Sequence, residues 1–263
     1  MLKKLLKYDL EFIYKNLIIF YSILIVCAII KRIFDVVDNS AIFDILSAVA
    51  NGFVISFICS CLINTLMRSW VRFQTNLYGD QSYLTHTLPV EKKTIYASKF
   101  WATVISMFTS VLVILVAVGI AYYSKENLQL FKESLKVMAD VYDSSVIGMV
   151  LTIFLLVFLQ MTTILQAGNT GLLIGHRFED KKLILSVVFG FVSYFVSQTI
   201  SLVVLFGISI FNKDLMNLFI TNEMPNLGVF KFVMYLACAL YMVFLIGFYL
   251  IDLKLFKKGV NVD

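Results

Sequence analysis

The residues best suited to acid–base, nucleophilic or metal chemistry are few and scattered in this chain of 263 residues. Its two histidines, His86 and His176, lie far apart, and neither belongs to an HExxH zinc motif. The four cysteines lie in apolar runs without CxxC spacing, which is typical of small packing side chains. The sequence also lacks the GxxxxGKS or GxxxxGKT pattern of a phosphate-binding loop. It therefore predicts no catalytic residue, no metal site and no cofactor in this chain. The energy for any process that the chain carries out must then come from a partner.

Larger polar side chains within the apolar runs are the candidates for lining a transport pathway. Two interpretations stay open: these side chains line a central cleft, or they hydrogen-bond between helices. Gly171 and Gly175 form a GxxxG pattern, which favours close packing of two helices. The candidate pathway residues are Asn51, Gln160, Thr163, Gln166 and Gln198.

Composition predicts the elements that must hold these residues. Hydrophobic residues make up 60% of the chain and charged residues 15%, whereas a soluble domain is about half apolar and about a quarter charged. This excludes a soluble enzyme, a disordered chain and a nucleic-acid-binding protein of the usual kind. Apolar runs without strand-like alternation predict an all-α fold with six transmembrane helices in a single domain over 1–263. The predicted spans are 16–34, 42–67, 97–123, 144–166, 183–211 and 230–251.

The uneven distribution of Lys and Arg predicts the orientation of the chain. Of the 22 cationic residues, four precede the first apolar run, five lie between the second and third, three between the fourth and fifth, and three follow the sixth. Because these fifteen share one side and seven lie on the other, the positive-inside rule predicts that both termini are cytoplasmic. Leucines and lysines on opposite faces of 1–15 predict an amphipathic helix along the inner membrane surface. The alternative is a simple extension of the first span.

Two segments on the other side are long enough to have structure of their own. In 126–143, large apolar residues recur at helical spacing among charged ones, which predicts a short amphipathic helix on the outer surface. The segment 212–228 is expected to form a partly re-entrant turn. The apolar cores of the six spans contain no Asp, Glu, Lys, Arg or His, which argues against proton-coupled transport and voltage sensing.

The connection over 68–96 is more apolar than a passive cytoplasmic loop. Tyr83, Leu84 and Leu88 are expected to anchor in a groove on another protein, because a few large side chains carry most of the energy of a contact. Pro89 is expected to end a short helix, and Asp80 to help set the register of the contact. The alternative is a loop that packs on its own membrane domain.

The order of residues in this connection resembles the type-2 ABC transporter permease family. An acidic residue precedes Tyr-Leu-Thr at 83–85, Leu-Pro-Val follows at 88–90, and basic residues come next. The segment 175–178, Gly-His-Arg-Phe, with lysines at 181 and 182, is similar to a second pattern in that family. The resemblance implies that the ATPase-coupling residues are Asp80, Tyr83, Leu84, Thr85, Leu88 and Pro89, and that Gly175, Arg177 and Phe178 form a second cytoplasmic contact.

The resemblance also implies partners and a mechanism. Such permeases lack an ATPase domain, and their coupling helix sits in a groove of a separate ABC ATPase subunit that binds ATP and Mg²⁺. It further implies a second identical or related permease, the bilayer of a bacterial cytoplasmic membrane, an amphipathic cargo such as a peptide, antibiotic or lipid, and no nucleic-acid partner. Export of that cargo, with a role in antimicrobial resistance, is the expected function. The alternative is a membrane immunity or sensor component that binds a peptide without moving it.

Overall fold

A computed structural model describes residues 1–37, 41–142, 144–220 and 227–258. Within these residues the chain is helical without strands, and six helices are long and apolar enough to cross a membrane, which confirms the predicted all-α class with six spans. The helices are α1 (Leu2–Val36), α2 (Ala41–Leu77), α3 (Ser82–Thr87), α4 (Lys92–Tyr122), α5 (Lys125–Val141), α6 (Val146–Gly175), α7 (Lys182–Ser209), α8 (Lys213–Ile220) and α9 (Leu227–Lys257).

Five of the six long helices extend beyond the predicted spans at one end or both, whereas α7 nearly coincides with its predicted span, 183–211. The six helices contain 28 to 37 residues, which at 1.5 Å per residue gives about 42–55 Å, whereas the hydrocarbon core of a bilayer is about 30 Å thick. Several predicted spans stop next to a charged residue, such as Arg68 or Asp252, but that residue continues the helix. As a result α2 runs on to Leu77 and α6 runs on to Gly175, so the connection predicted over 68–96 is partly helical.

The N-terminal segment is the first part of α1 and not a separate helix, so the predicted interfacial helix over 1–15 is wrong as an independent element. Its buried residues form one stripe, at spacings of three and four, that crosses the predicted boundary. The stretch also contains no glycine or proline that would bend the helix there. The stripe consists of Asp9, Ile13, Leu17, Tyr21, Leu24, Ala28 and Lys31.

The described chain divides into two compact units, Met1–Gln129 and Leu130–Asn261, with the boundary inside α5. In the first unit two long helices, α1 and α2, precede the short helix α3 and the long helix α4; in the second unit most of α5 comes first, and α6, α7, α8 and α9 then follow in the same order. In each unit the first long helix packs against both of the others. The assignment of the whole chain to one permease domain stays a prediction.

In the first unit, α1 supplies the centre of the apolar core. The core combines Leu17 and Leu24 of α1 with Val54 of α2 and with Ala102 and Ala117 of α4. Small side chains on α4 let the backbones of α1 and α4 approach each other, which strengthens packing where lipid removes the usual hydrophobic driving force.

In the second unit, the GxxxG pattern brings α6 against α7. A Cβ atom added to Gly171 would lie 2.4 Å from the backbone nitrogen of Gly190 and from the Ser186 carbonyl oxygen. A Cβ atom on Gly175 would lie 2.3 Å from Ser186 Oγ. These distances leave no room for a side chain, so the glycines allow the two helices to pack closely, as predicted.

Substitution of Gly171 by alanine is expected to destabilise the second unit. The added methyl group meets backbone atoms of α7 that cannot rotate away, and overpacking of this kind costs about 1–3 kcal/mol. Thermal unfolding of the detergent-solubilised protein should therefore begin at a lower temperature. Gly207→Ala is the matched control because nothing lies within 4 Å of its Cβ position. Equal unfolding temperatures for the two variants would contradict this packing.

The two remaining short helices fall where non-spanning segments are predicted. α5 confirms a helix in 126–143, and its side chains Leu130, Phe131, Val137 and Met138 are exposed. Its location on the outer surface stays a prediction. α8 occupies part of the segment 212–228, for which a re-entrant turn is predicted, and residues 221–226 of that segment lie outside the described residues.

Candidate functional site

α3 is bound to the end of α2 through the turn between the two helices. α2 ends at Leu77, and the backbone N–H of Ser82 donates to the Gly79 carbonyl oxygen at 2.8 Å. His86 Nε2 lies 3.1 Å from the Leu77 carbonyl oxygen, which ties the far end of α3 back to α2. The helix ends two residues before Pro89, as the sequence predicts. α3 is therefore a short, braced helix and not a loose loop.

The apolar side chains of α3 and of the residues after it point away from the first unit. The exposed fractions are 75% for Tyr83, 67% for Leu84 and 42% for Leu88. Asp80 and Pro89 are exposed as well. We call Tyr83, Leu84, Leu88 and Pro89 the α3 patch. The alternative of a loop packed on its own membrane domain does not hold for these side chains within the described chain.

Thr85 faces the opposite way. It is buried, and its Oγ1 donates to the Gln81 carbonyl oxygen at 3.0 Å. Residues three apart share a helix face, so Ser82 and Thr85 both point inward while Tyr83 and Leu84 point outward. Thr85 therefore packs α3 against its own unit, and its contact with an ATPase stays a prediction.

The second predicted contact lies in the turn between α6 and α7. Arg177 Nη2 donates to the Leu255 carbonyl oxygen of α9 at 2.9 Å, and the Phe178 ring stacks on Phe189 with 5.6 Å between ring centroids. Both side chains are exposed. Gly175 is buried against α7, where the absence of a side chain lets the two helices pack closely, and its assignment to a partner contact stays a prediction.

His176, in the same turn, is buried between α6 and α7. Its Nδ1–H donates to the Leu172 carbonyl oxygen at 2.9 Å and lies 3.2 Å from Ser186 Oγ. Burial lowers the pKa of His176, and Lys182 lowers it further, although the hydrogen bond to Leu172 opposes the change. The folded protein therefore keeps this imidazole neutral at a pH at which an exposed histidine begins to take up a proton.

The depressed pKa of His176 predicts that stability falls in mild acid. The unfolded chain binds a proton near the ordinary histidine pKa of about 6.5, and the folded chain binds it only at lower pH. The free energy of unfolding is therefore unaffected by protonation of His176 above a pH of about 6.5, and it decreases as the pH falls below that value. Thermal unfolding followed from pH 7.5 to pH 5 should show the decline, and His176→Gln should flatten it. An equal decline in His176→Gln would assign the effect to other groups.

Four of the five candidate pathway residues form hydrogen bonds within their own unit. Asn51 Oδ1 accepts from the Tyr122 hydroxyl at 2.5 Å, which joins α2 to α4. Gln166 Nε2 donates to Asp252 Oδ2 at 2.6 Å, which joins α6 to α9. Thr163 is buried and donates to a carbonyl of its own helix. The interpretation as bonds between helices therefore holds for Asn51 and Gln166.

Gln198 lines a cleft of about 230 Å³ between α7 and α9. Its Oε1 lies 3.5 Å from the Tyr241 hydroxyl, and its Nε2 is buried without a hydrogen-bond partner among the described residues. The rest of the lining is largely aliphatic, and the hydroxyl groups of Ser201 and Tyr241, which also line the cleft, are its other polar groups. Gln160 is half-buried on α6. Pathway lining stays a prediction for Gln160 and Gln198. The other lining residues are Ser201, Leu202, Leu205, Val233, Leu236, Ala237 and Leu240.

Sequence reasoning missed two buried carboxylates, Asp9 on α1 and Asp252 on α9. Asp252 accepts hydrogen bonds from Gln166 Nε2 and, at 2.7 Å, from Thr170 Oγ1. Asp252 lies directly after the predicted sixth span, 230–251, in the last part of α9. The expectation that the apolar cores of the spans contain no ionisable group therefore stays a prediction. Gln166 and Thr170, one turn apart on α6, are the only signal in the sequence for a buried acceptor.

No protein-family model, curated protein or solved structure matches the chain. The resemblance of residues 80–90 and 175–178 to the permease family therefore gains no support from a known relative. The function is inferred from the helices and from the exposed and buried groups described above.

Proposed function

We propose that the chain is the membrane-spanning permease subunit of an ATP-driven ABC exporter and that it couples to a separate ATPase subunit through α3. The α3 patch is the observation that carries this proposal. It places a tyrosine and two aliphatic side chains in solvent on a braced helix between two long apolar helices. Such an arrangement suits a helix that inserts into a groove of a partner.

The position of α3 along the chain suits the transmission of force. One end continues from α2 through the turn at residues 78–81, and the other end reaches α4 within four residues. Because both connections are short, a partner that displaces α3 must move the adjoining ends of α2 and α4. A long flexible loop would absorb the same displacement.

The energy source in this proposal lies outside the chain. Since the sequence has no phosphate-binding loop, ATP and Mg²⁺ would bind to the ATPase subunit. Two such permeases, identical or related, would form the complete pathway in a bacterial cytoplasmic membrane. The cleft beside Gln198, apolar with one amide, suits an amphipathic cargo such as a peptide, an antibiotic or a lipid.

Purification of the tagged chain in mild detergent tests the proposal. We expect an ABC ATPase to remain bound through gel filtration and to hydrolyse ATP in the complex, with inhibition by vanadate. Cargo classes are then compared by how strongly each stimulates hydrolysis in lipid nanodiscs. A chain that purifies alone, binds a peptide and shows no nucleotide-dependent change would contradict the proposal and favour an immunity or sensor component.

A further inference from the structure

A buried ionic cluster joins the three long helices of the first unit. Asp9 of α1 lies at its centre: its Oδ1 accepts from Arg72 Nε of α2 at 2.8 Å and from Lys99 Nζ of α4, and its Oδ2 accepts from Ser98 Oγ of α4 at 2.5 Å. The exposed fractions are 1% for Asp9, 5% for Lys99 and 9% for Arg72. One carboxylate thus holds two cations and a hydroxyl from two other helices.

Arg72 extends this cluster to the base of α3. Its Nη1 donates at 2.8 Å to Oε1 of Gln81, the residue that immediately precedes α3. The Gln81 carbonyl oxygen in turn accepts from the backbone N–H of Thr85 at 3.1 Å, within α3. Hydrogen bonds therefore run without interruption from α3 through Gln81 and Arg72 to Asp9, and from there to α4.

Stability alone is a weak explanation for such a cluster. Ionised groups are costly to remove from water, and apolar side chains of similar volume often hold helices together as well or better. What a guanidinium adds is direction: Arg72 donates through one nitrogen to Asp9 and through another to Gln81, which fixes its plane. The Phe12 ring lies 5.0 Å from the guanidinium carbon and limits its movement further. A displacement of Gln81 must therefore change the geometry at Asp9.

We infer that Asp9, Arg72 and Gln81 form the junction that passes a displacement of α3 to α1 and α4. This inference rests on the proposed function and names the route by which that site acts. The three residues are positioning residues, because none of them belongs to the exposed α3 patch. α2 and α4 are joined to α3 by the chain itself, whereas α1 is reached through Asp9.

A second buried polar contact between α1 and α4 provides the matched control. Lys31 Nζ donates to Asp35 at 2.6 Å and to the Ala121 carbonyl oxygen at 3.1 Å, and the Tyr122 ring lies 4.3 Å away. This contact joins the same two helices at a part of α1 distant in sequence from Asp9, and no hydrogen bond among the described residues links it to α3. A purely structural role would make the two contacts equivalent.

The test measures movement of α1 relative to α4 in the complex of the full chain with its ATPase. Spin labels are placed at Lys7→Cys on α1 and Trp101→Cys on α4, both exposed sites. Cys27 and Cys59 are replaced by serine, since Cys61 and Cys238 are buried. Distances are compared with ADP and with ATP plus vanadate.

We expect a nucleotide-driven change in the distance between the labels in the unmodified complex and in the control Lys31→Gln. Gln81→Ala, which removes an exposed side chain and leaves the ionic cluster intact, is expected to abolish the change while the ATPase stays bound and active. Gln81→Glu keeps an acceptor for Arg72 and is expected to preserve the distance change. Asp9→Asn, like Gln81→Ala, is expected to abolish the distance change.

A distance change that survives in Gln81→Ala overturns the inference, whatever Asp9→Asn does. The inference is also overturned if the unmodified complex hydrolyses ATP while the distance between the labels on α1 and α4 stays the same. If no ATPase binds to the unmodified chain, the proposed function itself fails, and the inference falls with it. The bound and active ATPase therefore distinguishes the two failures.

Discussion

Replacing Tyr83 and Leu84 together by alanine is expected to abolish retention of the ATPase subunit and to leave the chain in the membrane. Both side chains are largely exposed, so their loss removes little packing within the first unit. Truncating an anchor residue costs about 2 kcal/mol or more, and two such losses weaken the Kd about a thousandfold. The measurement is co-purification of the ATPase with the tagged chain at equal membrane abundance.

Tyr123→Ala is the matched control for this double substitution. Tyr123 is also an exposed tyrosine, but it lies directly after the other end of α4, which is predicted to face the opposite side of the membrane. Its loss should leave ATPase retention unchanged. Retention of the ATPase by the double variant would remove the assignment of α3 as the coupling element.

Asp9→Ala is expected to be the most destabilising single substitution in the first unit. It leaves Arg72 and Lys99 buried without the carboxylate that both contact, and breaking a buried ion pair in this way costs about 3–5 kcal/mol. The free energy of unfolding, measured by denaturant titration in detergent, should fall by that amount. Glu11→Ala removes an exposed carboxylate two residues away and should change it by less than about 0.5 kcal/mol.

A triple substitution separates stability from coupling. Asp9→Leu, Arg72→Met and Lys99→Met replace the cluster by apolar side chains and should recover most of the stability that Asp9→Ala loses. They also remove the link from Arg72 to Gln81, so nucleotide-driven movement of α1 should stay absent. A triple variant no more stable than Asp9→Ala would contradict the view that the charges are retained for their geometry.

The sequence predicted the parts of the structure that depend on local pattern. Apolar runs indicated six spans because backbone groups in lipid must be satisfied within each helix. The Leu-Pro pair at 88–89 indicated the end of α3, and the spacing of Gly171 and Gly175 indicated a close helix contact. Each of these signals lies within a few residues of the feature that it predicts.

The parts that depend on partners distant in sequence were missed. Asp9 lies in the segment predicted to be a membrane-surface helix, and the sequence gives no sign of its partners, Arg72 and Lys99, which lie 63 and 90 residues away. Asp252 read as the end of a span for the same reason, since Gln166 lies 86 residues away. A charge looks like a helix boundary in sequence unless its partner is known, so the predicted spans are shorter than most of the long helices.

The orientation of Thr85 and Gly175 was missed for a different reason. A motif identifies which residues occur together but not which of them face outward. On a helix of six residues, one face must pack and the other is free, and Ser82 and Thr85 occupy the packed face. Gly175 fits its motif because α7 passes too close for any side chain. The motif therefore mixes exposed residues with buried residues that position them.

Cysteine accessibility in intact cells tests the central claim, that α3 faces the cytoplasm and receives the force there. Tyr83→Cys in α3 and Lys136→Cys in α5 are treated with a membrane-impermeant maleimide before and after permeabilisation, and the unmodified chain gives the background from Cys59. We predict that Lys136→Cys reacts in intact cells and that Tyr83→Cys reacts only after permeabilisation. Labelling of Tyr83→Cys in intact cells would contradict the account.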